Sequence, residues 1–331
     1  MKLISIVTPC FNEAENIDEL YARLKRIRDE LPAYRFEHIF IDNASTDATA
    51  SKIKELIKRD AAVRLIVNAR NFGHIRSPHY GMLQASGDAV ICLASDLQDP
   101  PEIIPQMVRA WENGYRVVAG VKRGSRESRA MWFVRSCYYR MVRKLADVQL
   151  LEHFTGFGMY DRAVIDILRT IDDPYPYFRG LVAEIGFDVA RVPFDQPGRM
   201  RGITKNNFYT LYDLAMLGIT SHSKLPIRLA TMAGFALSIV SFLISLTYLV
   251  LKLIFWNRFQ MGTAPILIGM FFFGSVQIFF IGLIGEYIAS IHTQVLRRPL
   301  VVERERVNFD SLPTKEREPQ AAHPQSVVPT A

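Results

Sequence analysis

Residues 3–9 of the chain read Leu-Ile-Ser-Ile-Val-Thr-Pro, an apolar run rich in β-branched residues that ends in two turn residues. Such a run predicts a buried strand, Leu3–Val7, which is closed by Thr8 and Pro9. The pattern then changes, because apolar side chains recur every three or four positions and so predict an amphipathic helix. These side chains are Ile17, Leu20, Tyr21, Leu24, Ile27 and Leu31.

The same alternation continues beyond this first unit. Strands are predicted at Glu37–Ile41, Val63–Val67 and Ala89–Leu93, and the helix after the second strand is predicted to be capped by Ser45–Asp47. This rhythm predicts an α/β fold with a mostly parallel, Rossmann-like sheet and right-handed crossovers. Ligands of such sheets bind beyond the carboxyl ends of the strands.

Three acidic segments are predicted to meet at that edge of the sheet, namely Thr8–Glu13, Asp42–Asp47 and Asp96–Pro101. Asp96 and Gln98 alternate along a stretch predicted to be extended, so both can face one ligand, and Mg²⁺ and Mn²⁺ prefer oxygen donors with a phosphate partner. Each segment alone is also explained as an ordinary turn or helix cap. Three of them at strand ends favour a binding site.

Basic residues follow a further predicted strand, Val117–Val121. Lys122 and Arg123 come directly after it, and Arg199 and Lys205 lie in a glycine-bearing segment farther along the chain. Arginine and lysine in such places can neutralise a diphosphate leaving group or an acceptor phosphate. The alternative is that they only set the membrane topology, which is a stronger explanation for Lys205 than for Lys122.

Two uncharged apolar runs, Leu229–Leu251 and Phe259–Gly285, distinguish the C-terminal half. About 20 apolar residues cross a bilayer as a helix, so each run is long enough to span. Lysine and arginine are concentrated before the first run and after the second, which predicts cytoplasmic termini. Residues 206–226 predict an amphipathic helix that lies either on the bilayer surface or packed as an ordinary surface helix.

The composition disfavours several other classes of protein. The chain has 331 residues and a formal charge of +7, which suits an anionic membrane face or a phosphate-bearing substrate. Its basic residues are not grouped with aromatic residues on one evident face, so we expect no nucleic-acid partner. The three cysteines are widely spaced and predict neither a metal site nor a disulfide framework. The first residues read as a strand and not as a signal sequence, which predicts a cytosolic N-terminal half.

Taken together, the segments quoted above resemble the inverting family-2 glycosyltransferases, and most closely their polyprenyl-phosphate branch, which includes dolichyl-phosphate mannose synthase and the bactoprenol glucosyltransferases. The resemblance extends from Leu3 to about Arg304. The motifs that carry it are Ile6–Glu13, Asp42–Asp47, Arg70–Gly73, Asp96–Pro101, Arg179–Leu181, Arg199–Lys205, Gly218–Ser221, Gly285–Tyr287 and Arg298-Pro299.

The resemblance implies a GT-A fold, a nucleoside-diphosphate sugar donor, a divalent cation (Mg²⁺ or Mn²⁺) and a polyprenyl-phosphate acceptor. The residues it implies for the nucleoside are Pro9, Asn12, Glu13 and Asp42. Asp96 and Gln98 would serve the metal and the diphosphate, and Arg199 and Lys205 would hold phosphate at the membrane face. The candidate catalytic residues are Asp96, Lys122, Arg123 and Asp161.

Two positions depart from the family pattern. Ala94 stands where the family usually has the first acid of an Asp-x-Asp motif, and Gly156 stands where its proposed catalytic acid would be. A sugar hydroxyl needs a general base to attack at neutral pH. A phosphate monoester, with a second pKa near roughly 6, is already largely dianionic and needs positioning more than deprotonation.

We therefore expect a membrane-anchored transferase that moves a sugar from a nucleoside-diphosphate sugar, with UDP favoured, to a polyprenyl phosphate such as undecaprenyl phosphate. The expected site is the cytoplasmic face of a bacterial inner membrane. Two alternatives remain open: a catalytically decayed scaffold that binds nucleotide sugars, and a polysaccharide synthase with a sugar acceptor.

The expected organisation has four parts. They are a catalytic domain at 1–205, an interface helix at 206–226, a two-helix transmembrane unit at 227–290, and a cytoplasmic basic segment with a disordered tail at 291–331. Glycines in both apolar runs offer close-packing faces for a homo-oligomer. The sequence does not name the sugar.

Overall fold

The computed structural model describes residues 1–123, 151, 154–197, 225–255 and 263–309. These residues form one eight-stranded sheet with helices on both faces, and two long apolar helices. The strands are β1 Leu3–Cys10, β2 Arg35–Asp42, β3 Val63–Asn68, β4 Ala89–Cys92, β5 Val117–Lys122, β6 Phe154–Asp161, β7 Val189–Phe194 and β8 Glu303–Val307. The helices are α1 Ala14–Glu30, α2 Thr49–Arg59, α3 Gly73–Gln84, α4 Ile104–Glu112, α5 Arg162–Thr170, α6 Phe178–Ile185, α7 Leu225–Ile254 and α8 Thr263–Val295.

The strand order is β7-β5-β6-β4-β1-β2-β3-β8. Only β6 and β8 run against the direction of the other strands in this sheet, so the predicted mostly parallel α/β fold is confirmed. Thr8 and Pro9, which were predicted to be turn residues, instead belong to β1 and pair with Phe40 and Ile41. Pro9 is tolerated in a central strand because the β4 ladder ends two residues earlier, at Val7, so the missing N–H of Pro9 costs no ladder hydrogen bond.

Different helices cover the two faces of the sheet. Side chains alternate across a strand, so Ile4 and Ile6 of β1 pack in one buried cluster with side chains of α1, α2 and α4. Val7 packs in the other cluster with side chains of α3, α5 and α6. The central strands are therefore buried on both faces, which explains why they read as nearly continuous apolar runs.

A buried carboxylate joins three neighbouring strands. Glu37 of β2 is 2% exposed and accepts hydrogen bonds from Arg64 of β3, Ser5 of β1 and Ser86 of the turn before β4. Arg64 is itself buried. Because several donors satisfy the carboxylate, the pair holds together although both charges have lost water.

Strand β8 was missed by the sequence analysis, which had assigned residues 291–331 to a basic segment and a disordered tail. β8 pairs antiparallel with β3 and covers its free edge. Tyr80 donates a hydrogen bond to Glu303 (2.8 Å), and Lys54 pairs with Glu305 (2.7 Å). The sequence Glu-Arg-Glu-Arg lacks the apolar alternation of a typical strand, but charged side chains suit a strand at the edge of a sheet.

The two apolar helices α7 and α8 contain the predicted runs. Within the described residues, one segment is long and apolar enough to cross a membrane, Phe272–Val295 of α8, with 24 residues and a mean hydropathy of 1.6. The apolar stretch Leu229–Ile244 of α7 is shorter, so the expectation of two spans is met in part. The predicted interface helix at 206–226 falls almost wholly outside the described residues.

The start of α7 and the end of α8 lie together beside the sheet domain. The Tyr287 side chain of α8 hydrogen-bonds the backbone of Ile227 in the first turn of α7. Gln294, in the last turn of α8, donates a hydrogen bond to Asp173 (3.0 Å), in the loop that follows α5. The chain then returns to the sheet as β8, so α8 is tied to the sheet at its C-terminal end.

We predict that Glu37→Ala strongly destabilises the chain, because Arg64 would remain buried without its partner. Removing one member of a buried pair costs about 3–5 kcal/mol. The thermal unfolding midpoint of the purified chain, followed by circular dichroism, measures the loss. The matched control is Glu55→Ala, which breaks an exposed pair with Lys58. Equal midpoints for the two variants would contradict the role given to Glu37.

Candidate functional site

The carboxyl ends of β1, β2, β4 and β5 lie at one edge of the sheet, as parallel pairing requires. Asp42 ends β2 directly beside Cys10, the last residue of β1. Asp96 follows the end of β4 by four residues, and Lys122 is the last residue of β5. The predicted site residues found at this edge are Pro9, Asn12, Glu13, Asp42, Asp96, Gln98, Lys122 and Arg123. Arg199 and Lys205 lie outside the described residues.

The loops after β1 and β2 are hydrogen-bonded to one another. The Asn12 N–H donates to Ser45 Oγ (2.9 Å), and Asn12 Oδ1 accepts from the Thr46 N–H (2.8 Å). Asn12 and Ala44 have φ angles of +57° and +61°, in the left-handed region that residues with a Cβ rarely adopt. Such strain persists only where the surroundings fix the backbone. The two loops therefore form one pre-shaped unit.

Helices α1 and α2 both begin at this unit. Asp47 Oδ1 accepts from the Thr49 N–H (3.0 Å), and its other oxygen accepts from the Ala14 N–H (3.2 Å). The N-cap position of α2 is Ala48, so Asp47 alone of the three predicted caps bonds the first turn. Helix N-termini carry unpaired N–H groups and a partial positive charge. Both N-termini lie at the edge where a phosphate-bearing ligand is expected, and the Asp47 carboxylate already accepts from the first N–H of each.

Asp42 is fully buried, and Ser45 donates hydrogen bonds to its carboxylate. Its carboxylate accepts hydrogen bonds from the Ser45 N–H (3.1 Å) and the Ser45 hydroxyl. Burial raises the pKa of Asp42, while the Ser45 hydrogen bonds and the positive charge of Arg304 oppose that rise. The observed contacts of Asp42 thus shape the β2–α2 loop, and Arg304 brings charge from β8 toward the same edge.

Asn43 is a functional candidate that sequence reasoning missed. Its Nδ2 donates to Asn71 Oδ1 (2.9 Å) and to the Gly73 carbonyl (3.2 Å). Its Oδ1 accepts from Asn68 Nδ2 (2.9 Å) and from the Phe72 N–H (2.8 Å). Asn43 therefore joins the loop after β2 to the loop after β3. The sequence signal that could have identified Asn43 is its position next to Asp42, a predicted site residue, within the segment Asp42–Asp47.

The segment after β4 forms a turn and not the predicted extended stretch. Leu97 has a φ of +58°, and Asp96 Oδ1 accepts a hydrogen bond from the Gln98 N–H (3.2 Å). An aspartate that bonds the backbone two residues later closes a local turn. The side chains of Asp96 and Gln98 are partly exposed, so both remain accessible at the edge of the sheet.

Asp99 is the second carboxylate of this turn and is buried, with 8% exposure. Burial, and then the negative charge of Asp96, raise the pKa of Asp99 to about 7, while the positive charge of Lys122 and the backbone N–H of Ala94 favour its ionised form. Asp99 therefore interacts with the backbone at Ala94, where the family pattern has an acidic side chain. Asp96, Asp99 and Lys122 form one electrostatic cluster.

The donor set at this turn suits a hard divalent cation only together with a substrate. Across the described ranges, no three Asp, Glu, His or Cys side chains are grouped to hold a metal. The carboxylate of Asp96 and the amide oxygen of Gln98 are oxygen donors, with Asp99 close by. Mg²⁺ commonly takes only one or two carboxylates and fills its remaining positions with water and substrate phosphates. The residues present fit that kind of site.

Lys122 and Arg123 differ in their surroundings. Lys122 is half-buried and lies near Asp99. The Arg123 N–H continues the ladder with β7 by donating to the Phe194 carbonyl (2.9 Å), but its side chain is largely exposed and lies 4.0 Å from Asp195. Lys122 is therefore the better placed of the two to affect a group bound at Asp96.

The assignment of Asp161 as catalytic is corrected by its position. Asp161 pairs with Ala89, the first residue of β4, and so lies at the opposite edge of the sheet from Asp96. Its Oδ1 accepts from the Ala163 N–H (2.9 Å) at the start of α5, and its Oδ2 accepts from Trp111 Nε1–H (2.7 Å). Asp161 is a helix cap, and β6 separates it from the site.

Gly156 lies near the opposite end of β6, on the site side of the sheet. Its φ is +103°, which a residue with a Cβ adopts only under strain. Its carbonyl accepts a hydrogen bond from the buried Tyr160 hydroxyl (2.8 Å). The backbone at this position therefore requires glycine.

Comparison with known proteins identifies the family. Residues 5–168 match the family model described as Glycosyl transferase family 2. A bactoprenol glucosyl transferase of Shigella phage SfII is 34% identical over 303 residues, which cover 89% of this chain and 96% of the relative. An uncharacterized glycosyltransferase of Synechocystis is 30% identical over 311 residues, which cover 94% of this chain and 97% of the relative.

A solved structure was also found. Glucosyl-3-phosphoglycerate synthase from Mycobacterium tuberculosis, in complex with Mn²⁺, UDP and phosphoglyceric acid, shares 21% identity and a TM-score of 0.48, over 66% of this chain and 76% of that one. The sequence relatives are matched along nearly their whole length. The chain therefore belongs to glycosyl transferase family 2 and is an inverting glycosyltransferase.

Proposed function

We propose that this enzyme transfers a sugar from a nucleoside-diphosphate sugar, with UDP as the favoured nucleotide, to a polyprenyl phosphate at the cytoplasmic face of a bacterial inner membrane. One observation carries the proposal: a short segment joins the helix of bilayer length to the sheet that bears the site. α8 ends at Val295, and β8 begins at Glu303 beside β3. A site held in this way stays at the membrane, where a lipid substrate is found.

The acceptor class is supported by the relatives named bactoprenol glucosyl transferase, which match this chain along most of its length. Both α7 and α8 span the bilayer in the proposal, with both chain termini in the cytoplasm. The proposal also places segment 206–226 on the bilayer surface. Homo-oligomerisation through the glycines of α7 and α8 stays a prediction.

The nucleoside binds in the proposal to the paired loops after β1 and β2. Pro9, Asn12 and Glu13 form one wall and the Asp42 loop forms the other. The hydrogen bonds between these loops exist before any ligand arrives. Binding of the nucleoside-diphosphate sugar therefore requires little further ordering of the loops.

The diphosphate lies in the proposal against Asp96, Gln98 and Lys122. A bound Mg²⁺ or Mn²⁺ would neutralise charge on the departing diphosphate. Asp96 and Gln98 would hold that cation, and Lys122 would add a fixed positive charge where negative charge develops. Arg123, which is more exposed, would interact with the same group from the rim.

In the reaction, an oxygen of the lipid phosphate attacks the anomeric carbon on the face opposite the diphosphate. The new carbon–oxygen bond forms while the bond to the diphosphate breaks, its electron pair leaves with the nucleoside diphosphate, and the anomeric configuration inverts. Arg199 and Lys205 are proposed to hold the lipid phosphate. A dianionic phosphate needs no general base, which agrees with glycine at position 156.

Two alternatives differ from this proposal in measurable ways. A decayed scaffold would bind a nucleotide sugar without turnover, and a polysaccharide synthase would pass sugar to another sugar. The cluster of Asp96, Asp99 and Lys122 favours a working site, because the two carboxylates of one partly buried turn beside Ala94 lie near Lys122 at the end of β5. Lipid extraction separates all three functions.

We predict that the purified full chain, given Mg²⁺ or Mn²⁺ and undecaprenyl phosphate, moves radiolabel from one nucleotide sugar into the organic phase. A screen of UDP- and GDP-sugars measures this transfer. Label that appears only in water-soluble polymer would favour the polysaccharide synthase. Donor binding without transfer from any sugar would favour the scaffold.

Asp96→Asn should lower lipid glycosylation at least about a hundredfold, as expected when an electrostatic contact to the developing charge is lost. Initial rates in the extraction assay measure this change. The control is Asp161→Ala, which removes a helix cap at the opposite edge of the sheet. We expect that control to lower the unfolding midpoint but to keep the rate per folded molecule. Near-normal turnover by Asp96→Asn would count against the mechanism.

The pKa of Asp99 predicts a pH dependence of stability when divalent cations are removed. Folding raises that pKa from 3.8 to about 7, so between these values the folded chain keeps a proton that the unfolded chain releases. Stability from this group is therefore lost as pH rises from about 4 to about 7. Thermal midpoints in EDTA should show this slope, and Asp99→Asn should lack it. Asp18→Asn, at an exposed carboxylate, should retain the slope; identical profiles for both variants would refute the assignment.

A further inference from the structure

A basic cavity lies beside the proposed donor site but is not part of it. The cavity has a volume of about 400 Å³ and opens between the loop after β3, helix α3 and the segment that follows α8. Arg70, Arg76 and Arg298 line it, one from each of these three places. Its other lining residues are Ala69, Phe72, Pro299 and Val302, so no carboxylate lines it.

Among the described residues, no carboxylate neutralises the three arginines of the cavity, in contrast to two arginines of α1. Arg23 pairs with Glu102 (2.5 Å) and Arg28 pairs with Asp60 (2.7 Å). Within the part of the chain that the structure describes, no carboxylate oxygen lies within 4.0 Å of the guanidinium groups of the cavity.

The individual contacts leave hydrogen-bond donors available. Arg70 stacks on the Phe72 ring at 4.2 Å and uses one nitrogen on the Asn71 carbonyl (3.2 Å). The Nε atom of Arg76 is buried and has no hydrogen-bond partner among the described residues. A buried donor without a partner is costly. The three positive charges repel one another, and the Arg76 Nε–H donor has no partner within the described ranges. Such an arrangement favours the binding of an anion.

The position of the cavity indicates where that anion comes from. Arg298 follows Val295, the last residue of the membrane-length segment, by three residues, and three residues reach at most about 11 Å. The Ala69 N–H donates to the Val302 carbonyl (2.8 Å), which fixes the segment after α8 against the loop after β3. With α8 in a bilayer, the arginines lie at the depth of the lipid headgroups.

The strand order places this cavity too far from Asp96 to hold the lipid phosphate that reacts. The cavity lies beyond β3, and Asp96 follows β4, which is three strands away. Three strand spacings are about 14 Å. The proposed donor extends from the β2 loop toward β4, so its sugar lies farther still from the cavity. An attacking phosphate must approach the anomeric carbon to within about 3–3.5 Å.

We propose that Arg70, Arg76 and Arg298 bind the headgroup phosphate of a non-reacting anionic phospholipid. Guanidinium groups bind phosphate through paired N–H donors, and an anionic leaflet supplies that group at the required depth. The bound lipid holds the β3 side of the sheet in a fixed orientation on the bilayer. The inference uses the membrane attachment of α8 and does not depend on the transfer reaction.

The test compares two double variants of the full chain in detergent micelles. Arg70→Gln/Arg298→Gln removes two cavity charges. Arg59→Gln/Arg109→Gln removes two exposed charges from α2 and α4 and so keeps the same net charge. Phosphatidylglycerol, phosphatidylcholine and undecaprenyl phosphate are each titrated, and apparent Kd values come from the rise in the thermal unfolding midpoint, since a ligand of the folded state stabilises it.

We expect the cavity variant to bind phosphatidylglycerol at least tenfold more weakly than the control variant, and neither to bind phosphatidylcholine measurably. The affinity for undecaprenyl phosphate should be the same in both. Equal phosphatidylglycerol affinities would overturn the proposal. So would a tenfold loss confined to undecaprenyl phosphate, because the cavity would then be an acceptor site. The single variant Arg298→Gln repeats the test if the double variant does not fold, with circular dichroism reporting the fold.

Discussion

The parallel pairing of β1 with β2 and with β4 is the constraint on which the site depends. It aligns the carboxyl ends of three strands, so that Cys10 lies against Asp42 and the β4 turn follows close beside β1. Ser95 reinforces this by donating to the Pro9 carbonyl (3.0 Å). The pairing survives because apolar side chains bury both faces of these strands and Glu37 satisfies the polar groups between them. The proposed donor contacts that follow β1, β2 and β4 take their positions from that alignment.

A second layer of organisation lies in the loops. Asn12, Ala44 and Leu97 all have positive φ, and all three lie at the same edge. Backbone strain that is concentrated at one edge indicates a site shaped before its ligand arrives, because the strain is held by hydrogen bonds elsewhere in the loops. Asn43 extends the same network to the loop after β3, and β8 closes that side of the sheet. The apolar helix α8, the basic cavity and the loops after β1 and β2 are thus joined through one sheet.

The comparison with the sequence is instructive at two residues. Asp161 was predicted to be catalytic, but it lies at the end of β6, at the opposite edge of the sheet, where it caps α5 and accepts a hydrogen bond from Trp111. Asp99 entered the sequence analysis only as part of the acidic segment Asp96–Pro101. The turn at Leu97 buries it against the Ala94 backbone and near Lys122. For both residues, the end of the sheet at which the side chain lies and its neighbours there decided its role. Sequence spacing does not specify that position.

The sequence by itself determined the α/β alternation, the acidic strand ends, the apolar runs and the family. These features depend on local periodicity and on motifs read within a few residues. The tertiary structure alone decided that β8 returns to the sheet after α8, that Asn43 joins two loops, and that Arg70, Arg76 and Arg298 face one cavity. Those arrangements join residues more than 200 positions apart in the chain or on separate elements. These arrangements are stabilised by the hydrogen bonds of an edge strand and by the placement of charges. Neither leaves a periodic pattern in the sequence.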